Sequence, residues 1–284
     1  MVPAMTPLSV LSLVKDREPH LIQLVEGLKR SAVAPAELII VDMSSDPVAQ
    51  PEAPFPVHVH RLQTGTLALA AARNLAARHA TSAHLLFLDV DCIPMAQCLG
   101  RMGAVLDADD ALLCADIRYL GPDDARSTWN EEVLLATGRP HPVRSFPATG
   151  TRRETNPGLF WSLAFAIRRS RFDALGGFDE AFVGYGAEDT DFGFRAEHAQ
   201  TPLIFVGGAI ACHQYHDSYD PPVQHLDDIV RNATIFHARW GWWPMQGWLD
   251  AFVAMGLVDY CDDGIRILRR PNAADLIAAH SGQS

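Results

Sequence analysis

No two of the five cysteines stand at CxxC spacing, and their number is odd. That disfavours a disulfide framework or a zinc ribbon, and reduced thiols in the cytoplasm are expected. Basic residues are also short: 23 Lys and Arg face 34 Asp and Glu, a formal net charge of -11. The deficit argues against a nucleic-acid partner. It suits an anionic ligand held through a bound cation instead of a basic patch. No apolar run reaches the length of a membrane span. Met1 to Pro7 has no basic stretch leading into a long apolar one, so no secretory leader is expected. Internal repeats and low-complexity tracts are missing too. What is plentiful is apolar side chain, 48% of 284 residues. That is enough for one large α/β domain, alone or with an appendage.

Apolar runs alternate with helical patterns along the first half. Residues 8–14 and 38–41 are β-compatible and apolar. Residues 57–59 form a weaker strand, and 84–88 a strong one. Between them Leu21, Leu24, Val25 and Leu28 repeat at helical period, and residues 67–80 are alanine-rich. Further on, 99–106 reads as a helix, 111–115 as a strand, 189–198 as a helix and 203–206 as a short strand. Such alternation predicts a mainly parallel, mixed sheet flanked by helices. Ligands in such sheets sit at the carboxyl ends of strands. Residues 121–157, rich in Pro and Arg, read as a long mobile excursion that closes over a ligand, not as a separate domain.

Three groups of residues carry potential chemistry. Asp89 and Asp91 follow the run His84 to Leu88. Residues two apart on a strand point the same way, so both carboxylates can face one site while Val90 turns inward. Paired carboxylates there suit a divalent cation carrying a diphosphate; the plain alternative is a solvated turn. Next, glycines at 176, 177, 184 and 186 lead into Glu188, Asp189 and Asp191. Crowded carboxylates raise one pKa, as a general base requires, although an acidic first helical turn is also purely structural. Last, His213 and His216 are three apart, the spacing of one face of a helical turn. Imidazole is an acceptable ligand for manganese-like ions, and two ordinary surface histidines are the alternative.

The order of these groups resembles that of family 2 glycosyltransferases of the GT-A fold. Glu37 to Asp46 is similar to the family's second strand and nucleotide-binding turn, and Leu85 to Pro94 to its metal motif. Arg73 and Asn74 sit on the following helix, as in the family. Gly176 to Arg195 resembles the carboxyl-terminal segment shared by β-1,4-galactosyltransferases and bacterial chondroitin-type polymerases. The resemblance covers roughly residues 8–218. It implies a GT-A catalytic domain over 1–218, with a nucleotide-binding half (1–120) and an acceptor and base half (121–218). A helical extension, 219–284, would pack on it.

The resemblance further implies inverting transfer of a hexose or N-acetylhexosamine from a nucleotide sugar, with UDP the expected nucleotide, to a hydroxyl of a glycan or glycoconjugate. Asp42, Arg73, Asp89 and Trp161 would meet the donor. Asp91, His213 and His216 would hold Mn2+ or Mg2+, with His213 standing where the galactosyltransferase pattern has Met. Asp189 would be the general base and Glu188 the neighbour holding the acceptor hydroxyl. Tyr185 replaces the usual Trp and Ala187 the usual second Gly, so sugar identity is the property most exposed to change.

Two rival readings are a sugar-1-phosphate nucleotidyltransferase and a sugar-nucleotide-binding pseudoenzyme. The first needs a glycine-rich loop after the first strand, and Val14 to Pro19 has no glycine. The intact carboxylates count against the second. Trp240, Trp242, Trp243 and Trp248 cluster near the end of the chain. Simple helix packing, an acceptor platform or a peripheral membrane contact would each use them.

Overall fold

Seven consecutive buried residues, Leu8–Val14, form the central strand β1. Alternate side chains enter opposite faces, so both faces of the sheet must be covered. The computed structural model describes residues 6–281. Of the Met1–Pro7 stretch only Thr6 and Pro7 are among them, so the expectation about a leader lies outside the described residues.

After β1 come α1 (Glu18–Lys29), β2 (Glu37–Asp42), β3 (Val57–Arg61), α2 (Leu69–His79) and β4 (His84–Leu88). They are followed by β5 (Cys92–Pro94), α3 (Cys98–Ala108), β6 (Leu112–Tyr119), α4 (Glu131–Thr137), β7 (Arg139–Pro140) and β8 (Thr151–Glu154). Then come β9 (Ala164–Arg168), α5 (Arg169–Ala174), α6 (Glu188–His198) and β10 (Leu203–His213). The chain continues through β11 (Ser218–Tyr219), α7 (Leu226–Trp240), α8 (Gln246–Ala254), a hairpin of β12 (Val258–Cys261) and β13 (Gly264–Ile267), and α9 (Ala273–Ala279).

Ten strands make one mixed sheet, ordered β3–β2–β1–β4–β9–β6–β10–β5, with β7 on β6 and β8 on β10. Strands β3, β2, β1 and β4 are parallel. β9 runs antiparallel between β4 and β6, and β10 returns parallel to β6. On one face Val10, Leu38 and Leu86 pack against Leu24 of α1 and Met102 of α3. On the other, Leu11, Ile39 and Phe87 meet the alanines of α2 and the rings of Phe172 and Phe192. This is the expected α/β sandwich of the GT-A type. Among the described residues no helix is long and apolar enough to cross a membrane.

Three expectations need correction. Residues 121–157 are not a free excursion. They hold α4, and β7 and β8 pair with β6 and β10, so backbone hydrogen bonds tie the segment to the sheet edge. Second, β10 does not stop at Val206. Gly208, at φ +72, takes a conformation that other residues resist, and the register shift between Phe205 and Ile210 lets the strand run on to His213. His213 therefore ends a strand and His216 lies in the loop beyond, with no helical turn between them. Third, Asp89 and Asp91 emerge where β4 ends, as expected, but strand alternation does not set their direction. They occupy a turn between β4 and β5, closed by the Cys92 amide donating to the Asp89 carbonyl at 2.8 Å.

Candidate active site

A cavity of about 990 Å³ opens at the carboxyl ends of β1 and β4. Its size lies at the upper end of small-molecule sites, enough for a nucleotide sugar. The β4–β5 turn brings Asp89 and Asp91 to it, as the strand argument required by another route. β5 pairs antiparallel with β10, setting Cys92 opposite His213, and the Gln214 amide donates to the Asp91 carbonyl at 2.7 Å. Chain segments more than a hundred positions apart thus converge. His213 Nε2 lies 3.4 Å from Asp91 Oδ1, and His216 Nε2 lies 3.6 Å from Oδ2.

The ligand atoms of Asp91, His213 and His216 all fall within 4.8 Å of one another. Burial would raise the Asp91 carboxyl, but the neighbouring His213, Arg17, His216 and His20 offset it and hold Asp91 below its ordinary value. Burial lowers the pKa of His213, which favours the neutral imidazole that a metal needs. His216 Nδ1 is 2.9 Å from the Asp217 carbonyl. A carbonyl only accepts, so Nδ1 carries a proton, and Nε2 is the ring nitrogen left to serve a cation shared with Asp91. Two imidazoles and one carboxylate suit a manganese-like ion better than magnesium, which prefers oxygen throughout. The donor set fits such a cation.

Arg73 on α2 joins this cluster to the next. Only 3% exposed, it donates to Asp89 Oδ1 at 3.3 Å and to Glu188 Oε1 at 3.0 Å. Burial pushes Asp89 up to about 7, with Arg73 opposing and Asp91 adding to the rise. Asp189 follows Glu188 on the first turn of α6 and lines the same cavity. Its Oδ1 accepts from the Thr190 amide at 2.7 Å, and among the described residues it is in no ion pair. Burial, with Glu188 adding, pushes Asp189 up to about 6 despite Arg73. A carboxylate poised there can take a proton near neutral pH.

Asp191 has a different fate. It is fully buried and held by Arg195 at 2.7 Å, Arg239 at 2.6 Å and Trp240 Nε1 at 3.0 Å, tying α6 to α7. Packed phenylalanines fix the start of α6 against the sheet, with Phe178 and Phe192 stacked at 4.5 Å and Phe87 and Phe165 at 4.4 Å. α7 braces the glycine-rich loop, since Asn232 Nδ2 donates to the Gly186 carbonyl at 2.9 Å. A Cβ on Gly184 would come within 2.1 Å of the Asp228 carboxyl carbon, so only glycine fits there.

The remaining sequence candidates divide. Trp161 lines the cavity, its ring edge-on to His141 and 4.9 Å from the Arg144 guanidinium. Asp42 is fully buried and does not line it. Its carboxylate is taken up by Arg61 at 2.6 Å and by the Ser44 and Val48 amides at 2.8 and 2.9 Å. Lys15, Arg17, Trp242 and Trp248 line the cavity and were missed as site residues. The basic pair at the end of the first strand was a readable signal, since strand ends are where ligands sit. Nothing local separated Trp242 and Trp248 from Trp240, bonded to Asp191, and Trp243, bonded to the Cys261 carbonyl.

The model of glycosyl transferase family 2 matches residues 9–179, more than half the chain. The chain belongs to glycosyl transferase family 2. A second family model, the N-terminal domain of galactosyltransferase, matches residues 144–217, which hold the glycine-rich loop, Asp189 and both histidines. Among curated proteins this family 2 chain is similar to the N-acetylglucosaminyl-diphospho-decaprenol L-rhamnosyltransferase of Mycobacterium tuberculosis. Identity is 34% over 94 residues, 31% of this chain and 30% of that protein. Solved structures share the fold. GalNAc-T7, with UDP, GalNAc and Mn2+, gives a TM-score of 0.57 at 18% identity, over 75% of this chain and 44% of that one. Staphylococcus aureus TarS 1-349 gives 0.54 at 15% identity, over 81% and 65%.

Proposed function

We propose that this family 2 chain is a metal-dependent inverting glycosyltransferase. It moves a hexose or N-acetylhexosamine from a UDP-sugar to a hydroxyl of a glycan or glycoconjugate. One observation carries the reading: the clustered Asp91, His213 and His216, which could hold a metal ion, and Asp189, whose carboxyl burial pushes up to about 6, line one cavity, linked through Asp89, Arg73 and Glu188. The UDP and manganese named with GalNAc-T7 agree with the choice of donor and ion.

Asp91, His213 and His216 would hold the cation. When bound, it supplies Lewis-acid stabilisation of the diphosphate as charge gathers there. Asp89 contacts the donor sugar or ribose, with Arg73 fixing its carboxylate. Trp161 borders the donor sugar. Asp42 serves the nucleotide indirectly, by fixing the turn that carries Met43 to the cavity. Asp189 accepts the proton of the acceptor hydroxyl as its oxygen attacks the anomeric carbon from the face opposite the diphosphate, which inverts the centre. Glu188 orients that hydroxyl. Tyr185 and Trp248, rings 5.9 Å apart, offer a face for the acceptor sugar. Residues 1–218 act as the catalytic domain and 219–284 as an extension lending Trp248, and free thiols at all five cysteines suit the cytoplasm.

The test is a panel of UDP-sugars incubated with Mn2+, reading UDP release with and without chelator. One or more donors should be hydrolysed slowly, and chelator should stop it. Failure of every UDP-sugar to turn over, together with UDP binding indifferent to Mn2+, would overturn the proposal.

A further inference from the structure

The Asp91 carboxylate already has a cation on it. Arg17 Nη1 lies 2.5 Å from Asp91 Oδ2, the oxygen that His216 Nε2 also faces at 3.6 Å. Arg73, the other arginine beside the carboxylate row, is buried and committed to Asp89 and Glu188. Arg17 differs: its side chain is 36% exposed and borders the cavity next to Lys15.

The backbone of Arg17 is fixed, while its guanidinium is partly exposed and held by Asp91. The Asp16 amide donates to Ser44 Oγ at 2.9 Å, and the Ser45 amide donates to Asp16 Oδ1 at 2.7 Å. The Arg17 carbonyl accepts from the His20 and Leu21 amides as α1 begins. A long side chain thus extends from a rigid root at the rim of the cavity. A divalent cation entering between Asp91 and the histidines meets the guanidinium on the carboxylate it must share. Like charges at that distance repel, so one must leave. A guanidinium released there faces the space where a nucleotide diphosphate would lie, and its fork of donors matches phosphate oxygens.

We propose that Arg17 is an exchangeable counter-cation. It neutralises Asp91 when the site has no donor, yields that carboxylate to the metal, and turns onto the diphosphate when the nucleotide arrives. The inference rests on the metal-dependent reading above. It deepens that reading by making metal and nucleotide bind as a pair: each pays part of the cost of moving Arg17, so each tightens the other by the same factor.

The experiment measures Mn2+ affinity by the electron paramagnetic resonance signal of free Mn2+, with and without saturating UDP. It compares wild type, Arg17→Ala and Arg17→Lys, with thermal melting as a check of folding. In wild type, UDP should tighten Mn2+ by about tenfold or more. Arg17→Ala should bind Mn2+ alone about tenfold tighter than wild type, while UDP affinity at saturating Mn2+ falls and the coupling shrinks to what the direct metal–diphosphate contact supplies. Arg17→Lys keeps a point charge on Asp91 but loses the fork, so Mn2+ alone should stay weak while UDP binding weakens. The inference is overturned if Arg17→Ala binds Mn2+ alone no tighter than wild type while both bind Mn2+ with UDP. If Arg17→Ala fails to fold, Arg17→Lys decides, since UDP affinity unchanged from wild type in that variant also overturns the inference. If no form binds Mn2+ even with UDP, the metal-dependent reading falls, and this inference with it.

Discussion

Asp91 and Asp189 are the same residue type in one cavity, and their surroundings push them in opposite directions. Around Asp91 stand Arg17 and three histidines, which hold its carboxyl low and keep it ionised. At Asp189 burial and the carboxylate of Glu188 outweigh Arg73 and push it up to about 6. On the proposed reading the charged carboxylate serves as cation ligand and the one poised to exchange a proton as base. Environment, not residue type, assigns the roles. Asp191, two residues from Asp189, completes the contrast, since three donors neutralise it and remove it from chemistry.

The largest test of this contrast is Asp189→Asn. An amide keeps the shape but cannot accept the proton, so turnover should fall by about a hundredfold or more with UDP affinity unchanged. Near-wild-type turnover would remove the base end of the comparison. A smaller effect comes from pH. The raised Asp189 carboxyl is protonated below about 6, and a protonated base accepts nothing. The kcat/KM for the donor, which reports the free enzyme, should therefore drop about tenfold per pH unit below that point and level off above it. A profile still flat at pH 5 would mean that Asp189 is not the titrating base. The smallest catalytic effect belongs to Asp191→Asn. Loosening its two partly exposed arginines should cost on the order of 2 kcal/mol and lower Tm by about 5 °C, with kcat nearly unchanged. A large loss of kcat at constant Tm would show that Asp191 takes part in the chemistry.

Much of the sheet was legible. β1, β2 and β4 are uniformly buried, and continuous apolar runs mark such strands directly. β10 was read short because Gly207 and Gly208 interrupt its pattern, and only pairing with β6 beyond the bulge carries it to His213. The 121–157 segment was read as loose because its strands are two and four residues long and lean on a sheet edge formed by other parts of the chain. In the site, the local groups Asp89–Asp91 and Glu188–Asp189 were visible as clusters. Asp42 was not separable from them, because its strand-end position is the same and only its pairing with Arg61 shows it turned away from the cavity.

The linear order of residues settled the alternation of strands and helices, the acidic groups at strand and helix ends, and the family. These depend on near neighbours and on which side chains avoid water. Tertiary structure alone decided which carboxylate meets which partner. Arg17 reaches Asp91 across 74 positions and Arg73 reaches Glu188 across 115, and charges so far apart in sequence interact only when folding closes the distance between them.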